Sequence, residues 1–195
     1  MSGLQVDSLY NKGKFPFHLL SSTSYHWFLP SWEHRAKVAV GILDLMFDIY
    51  EDNHIKFFMC DIQPAAIGHS ETYEALVTDA RDIVSSAMLA NALENRTCTH
   101  DHHCHYSRYC TTMCDAQRQR CTGEVTKPTL WQACHLLEEY ILFDTPSKMK
   151  PILERLLHRC SHLIIYGQSI DMSHVILITD LKTILWDHIK NMNVR

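Results

Sequence analysis

Two aspartates stand where apolar runs end, and together they could do chemistry. The run from Ile55 to Cys60 leads into Asp61, and the run from Ala75 to Thr78 leads into Asp79, with Pro64 and Gly68 in the loop between. Two short buried strands that each deliver a carboxylate to the same end make a site for a metal ion or a proton transfer. Taken as carboxylates alone, strand-end acids facing water are the commoner arrangement, so the pairing needs support from the rest of the chain. Cys60, beside Asp61, is a poor nucleophile: an adjacent carboxylate raises a thiol pKa, and no histidine has a placed relation to it. A buried strand cysteine is expected there.

The second chemical concentration is sulfur. Six of the eight cysteines, Cys98, Cys104, Cys110, Cys114, Cys121 and Cys134, crowd one stretch. Such density is normal where disulfides persist and unusual where thiols are kept reduced. The run His100-Asp101-His102-His103-Cys104-His105 lies inside it. Mixed Cys/His sets bind zinc, yet these cysteines are not in C-x2-C pairs, so disulfides with solvated histidines are expected. The six can pair among themselves, which leaves Cys60 and Cys160 as buried thiols or as a further bridge. Asn95-Arg96-Thr97 is a glycosylation sequon just ahead of the first of them.

The elements that must position these residues are mostly helical. Residues 1–30, punctuated by Gly13, Pro16 and Pro30, show no sustained period and read as an irregular lead-in. From Ser31, a capping residue, Val38, Ile42, Leu45, Met46 and Ile49 repeat at helical spacing to about residue 51, and Ala36, Ala39 and Gly41 allow close packing. Ile83 to Leu93 is helix-compatible but shows no cap. The cysteine block has few aliphatics and needs cross-links, each worth about 2–4 kcal/mol. Pro128-Thr129 opens a helix bearing Cys134, expected to anchor the block to the main core. A helix from Ser147 to about His162 carries the stripe Ile152, Leu156, Leu157 and Cys160. A last one, Met172 to Met192, turns Val175, Ile176, Ile178, Leu181, Ile184, Leu185 and Ile189 inward.

Composition bounds the function. At 195 residues, with 46% hydrophobic residues and a net charge of −4, the chain fits one ordinary domain without a basic footprint for nucleic acid or an anionic membrane. No apolar run spans a bilayer; Val38 to Phe47 is short and broken by Asp44. The N-terminus lacks the basic start and apolar core of a signal peptide. Oxidised cysteines without a targeting segment imply a fragment or short isoform of a longer secretory-pathway protein.

Three segments carry a resemblance. Trp32-Glu33-His34-Arg35-Ala36-Lys37-Val38-Ala39-Val40-Gly41, Met59-Cys60-Asp61 and Val77-Thr78-Asp79-Ala80-Arg81 resemble the divergent protein kinase domain 1 family, also called family with sequence similarity sixty-nine. The series Cys98-x5-Cys104-x5-Cys110-x3-Cys114-x6-Cys121-x12-Cys134 is similar to that family's insert, and Cys160 and Leu181 to Trp186 match its C-terminal region. The cysteine spacing is the most specific part, and it matches without the histidines.

The resemblance implies a mainly α, protein-kinase-like C-lobe over residues 31–195. Its helices would carry a short catalytic-loop β-hairpin and a disulfide-rich insert at residues 95–135. Asp61 would take the place of the catalytic base, and Asp79 that of the aspartate that holds magnesium and, through it, ATP. It further implies an endoplasmic-reticulum membrane or luminal setting, through an N-terminal anchor absent from this chain, and a luminal protein substrate or partner. Departures qualify the chemistry. Ala66 stands where an asparagine would hold a second metal, Cys60 where an arginine precedes the base, and Ala80 and Arg81 where phenylalanine and glycine follow Asp79. No G-x-G-x-x-G occurs, no strand–Lys plus helix–Glu pair precedes Ser31, and no EF-hand loop is found. Neither magnesium nor ATP is therefore expected to bind this chain alone. Two function classes follow: a secretory-pathway kinase-like protein, inactive as this polypeptide, or a non-catalytic disulfide-rich interaction or scaffold module.

Overall fold

A computed structural model describes residues 7–8, 30–51, 57–60, 66–81, 83–107, 109–127, 129–162 and 169–192. Its longest-range organiser is helix α1, Trp32–Glu51. Ser31 Oγ accepts the His34 N–H at 3.3 Å, as an N-cap should, and Lys37 pairs with Glu33 one turn away at 2.7 Å. Ala36, Ala39, Ile42, Leu43 and Met46 are fully buried. Burial of each large aliphatic side chain stabilises by about 1.5–3 kcal/mol.

Helices α3 (Thr129–Ile141), α4 (Lys150–Ser161) and α5 (Ser169–Met192) complete the main core around α1. The end of α3 is closed by α1 itself. Arg35, 1% exposed, donates from Nη1 to the Tyr140 carbonyl at 2.8 Å and from Nη2 to the Phe143 carbonyl at 2.7 Å. Trp32 Nε1 donates to the Ile141 carbonyl at 3.1 Å. Carbonyls at a helix C-terminus lack intrahelical partners and carry partial negative charge, so a buried cation is at home there. Asp44 and Lys182 tie α1 to α5 as an ion pair.

Two inward stripes differ from expectation. On α4 the stripe is Leu153, Leu156, Leu157 and Cys160, the i, i+3, i+4, i+7 set, and Ile152 falls one residue off it at 37% exposed. On α5 Leu177 points inward with Ile178, Leu181, Leu185 and Ile189, which rotates Val175 and Ile176 outward.

Three small antiparallel pairings surround the helices. Strands β2 (Phe57–Met59) and β5 (Ile83–Ser85) form a ladder with Met59 opposite Ile83. Strand β3 (Ile67–His69) pairs with β4 (Ala75–Val77), and on its other side with β1, Asp7–Ser8; the remainder of residues 1–29 lies outside the described residues. The segment read as an uncapped helix from Ile83 is strand β5 followed by helix α2, Ser86–Leu93, whose N-cap is Ser85: its Oγ accepts the Met88 N–H at 3.2 Å. β-branched Ile83 and Val84 suit the strand, and the helix begins where the serine can cap it.

The insert is a hairpin, β6 (Thr112–Asp115) and β7 (Arg120–Val125), laid on α2. Its interior is largely sulfur: Leu93, Cys98, Cys104 and Cys121 form one buried cluster, and Phe58, Cys60, Val84, Leu89, Cys110 and Val125 another that joins insert to ladder. No helix among the described residues is long and apolar enough to cross a membrane.

Candidate functional site

Cys60 and Arg81 stand at the same end of the β2–β5 ladder, just beyond the Met59–Ile83 pair. The chain leaves the ladder there toward Asp61 and returns to it from Asp79. Asp61 itself lies outside the described residues. Where the loop after it ends, the Ala66 carbonyl accepts the Thr78 N–H at 2.8 Å, which fixes the start of β3 beside the end of β4. The β3–β4 hairpin therefore delivers Asp79 to the neighbourhood of Ala66.

Asp79 is one-third exposed, and Arg81 engages it. Arg81 Nε lies 2.9 Å from Oδ1 and 3.0 Å from Oδ2, its Nη2 donates to Oδ2, and its backbone N–H donates to Oδ1 at 3.1 Å. Side-chain and backbone hydrogen bonds from Arg81 hold the Asp79 carboxyl down from 3.8 to about 2. The group is thus ionised at neutral pH, with both oxygens facing a guanidinium rather than standing open to a hard cation. Ala66 offers only a methyl group.

The other flank of this end is held by the insert. Cys60 is bonded to Cys110, and its carbonyl accepts from Ser107 Oγ at 2.6 Å and from the Tyr109 N–H at 3.2 Å. This explains a cysteine immediately before Asp61: the position anchors the insert to the end of β2.

All eight cysteines are paired. The bridges are Cys60–Cys110, Cys98–Cys114, Cys104–Cys121 and Cys134–Cys160. The six clustered cysteines are all in disulfides, but they do not close on one another. Two bridges lie within the cluster and two leave it, so neither Cys60 nor Cys160 is a thiol. Cys134 does not anchor the insert either; it joins α3 to α4, while Cys110 provides the anchor. Helix packing decides this, since Cys134 faces the buried stripe of α4 rather than the hairpin.

Asn95 is exposed in the turn after α2, compatible with a glycan. His100, His102 and His103 are exposed too, and the sulfurs near them are bonded, so no mixed Cys/His site exists there. The grip of Arg81 on Asp79 is not among the sequence expectations, which place Arg81 in the resembling segment and as a departure from glycine; the i, i+2 spacing of opposite charges is the available signal. A family model described as the protein-kinase domain of FAM69 matches residues 4–163. No solved structure matches the chain.

Proposed function

Since the chain belongs to the FAM69 protein-kinase domain family, we propose that it is the C-terminal lobe of a divergent secretory-pathway kinase-like protein and transfers no phosphate as this polypeptide alone. The fold is kinase-like and mainly helical, with a disulfide-rich insert. Its four disulfides fit an oxidising secretory or extracellular environment. An endoplasmic-reticulum setting and a luminal protein partner extend that reading.

The observation that carries the inactivity is the Asp79–Arg81 pair. Phosphoryl transfer is catalysed almost wholly by positioning and charge stabilisation, with metal ions neutralising the charge that develops on the phosphates. Asp61 stands at the base position and Asp79 at the magnesium position of the family. A cation reaching Asp79 has to compete with the guanidinium, and Ala66 supplies no ligand for a second. The same pairing favours a non-catalytic interaction module as the second reading, because a carboxylate already satisfied by its neighbour stabilises a surface without needing a ligand.

Isothermal titration with Mg-ATP and a radiolabelled-phosphate assay test this on the oxidised chain, with Asp61→Asn and Asp79→Asn beside it. The expected result is no micromolar binding and no transfer. Micromolar binding, or transfer that either substitution abolishes, overturns the proposal.

A further inference from the structure

The histidines of the insert play no part in the site described above. His100, His102 and His103 surround the 3-10 turn Asp101–His103, and all three rings are exposed. One ring nitrogen from each lies within 4.8 Å of the others. Among the described residues the other grouping this compact is Cys98, Cys104 and Cys114, whose sulfurs are all in disulfides and cannot act as thiolates. The ring centroids of His102 and His103 are 4.2 Å apart, and those of His100 and His102 are 5.4 Å apart.

We propose that His100, His102 and His103 form a surface site for a zinc-class divalent transition ion, with water in the fourth position. Neutral imidazole suits zinc, copper and nickel, whereas magnesium and calcium require oxygen ligands. Tetrahedral nitrogens at ~2.0–2.1 Å from zinc sit roughly 3.3 Å from one another. The three ring nitrogens must therefore close by roughly 1.5 Å, within reach of small rotations of exposed side chains.

The backbone beneath them is already fixed. Cys104, which ends the turn, is bridged to Cys121, and Cys98, two residues before His100, to Cys114. Asp101 Oδ1 accepts the Cys114 N–H at 2.7 Å, so this carboxylate braces the turn instead of ligating. Much of the entropy of assembling three ligands is lost on folding rather than on binding. Thr99 Oγ1 lies 2.9 Å from His100 Nδ1 and 3.4 Å from His103 Nδ1. A hydroxyl accepting from Nδ1–H leaves Nε2 as the ligating nitrogen, the outer-sphere arrangement that orients metal-bound imidazoles. The Thr99 N–H also points at His103 Nδ1 at 3.3 Å, a contact the metal-bound tautomer gives up.

The test is a zinc titration of the oxidised chain against a chromophoric chelator, with X-ray absorption on the bound ion. One zinc per chain in a shell of three imidazoles is expected. His102→Ala or His103→Ala should weaken it by about tenfold or more, and His100→Ala/His102→Ala/His103→Ala should remove the binding step. His158→Ala/His162→Ala, at the stacked pair ending α4, should leave it unchanged. Mass measurement of intact disulfides in each variant separates lost ligands from lost fold. Binding that survives the triple substitution, sulfur in the zinc shell, equal loss in the His158/His162 variant, or no zinc binding at all overturns the proposal.

Discussion

An aspartate gripped by a guanidinium two residues along the chain is ionised throughout the neutral range, yet any cation must displace or share that partner to reach it. Asp79 and Arg81 stand in this relation. Because the folded pKa is depressed from 3.8 to about 2, whatever the pair adds to stability is fully present above the unfolded value and is lost as pH falls through about 2. Arg81→Gly should move the Asp79 titration upward, toward 3.8, as read by carboxyl NMR. The stability change should be small, because exposed ion pairs are weak and screened. An unchanged titration would show that Arg81 does not hold the carboxylate in solution. Arg35 makes the contrasting case: burial lowers its pKa, and three backbone carbonyls, those of Pro30, Tyr140 and Phe143, keep the guanidinium satisfied inside the core.

At the scale of elements, α1 positions the site through one close approach. A Cβ added at Gly41 would lie 2.1 Å from the Tyr73 carbonyl oxygen, so the β3–β4 turn rests directly on the helix backbone. Tyr73 takes a left-handed φ of 68° to present that carbonyl, and Ser70 Oγ braces the turn by accepting the Thr72 and Glu74 N–H groups at 3.2 and 3.1 Å. The Tyr73 ring packs edge-on to His34, and Lys37 lies over it. For Gly41→Ala two effects compete. Helix propensity favours alanine by about 1 kcal/mol, while overpacking against a backbone atom costs about 1–3 kcal/mol or more. Overpacking should win, by about 2 kcal/mol in non-reducing denaturant titration. A stabilised variant would mean that the turn does not sit on α1.

For the whole molecule, the three bridges that involve the insert divide into two kinds. Cys98–Cys114 and Cys104–Cys121 close short loops of 16 and 17 residues inside the insert, whereas Cys60–Cys110 spans 50 residues and couples insert to ladder. Chain-entropy reasoning assigns about 3 kcal/mol to each short loop and about 4 kcal/mol to the long one. Cys60→Ser/Cys110→Ser should therefore destabilise most among these three pairs, and it should also loosen the segment beside Asp61. Hydrogen exchange at Phe57–Met59 and Ile83–Ser85, read alongside thermal unfolding, checks both effects. Peptide mapping without reductant should recover the four stated pairs; Cys134 linked to any insert cysteine would refute the arrangement.

The sequence by itself determined helices α1, α3, α4 and α5, because their 3.6-residue apolar period, the serine at 31 and the Pro-Thr at 128–129 are local signals, whereas Ile83–Ser85, helix-compatible by sequence, is claimed as strand by its pairing with β2. It also signalled the need for cross-links, since a stretch poor in aliphatics cannot bury a core of its own and its cysteines are not in C-x2-C pairs. Only the tertiary structure decided which cysteines meet. Connectivity depends on elements far apart in the chain, and Cys60 and Cys110 are brought together by the ladder and hairpin, not by spacing. The same holds for Arg35, whose role is invisible until the end of α3 arrives above it 105 residues later. For Gly41 the close approach itself is legible, since it joins Ala36 and Ala39 as a small residue on the helix, but only the fold shows that the partner is the Tyr73 carbonyl.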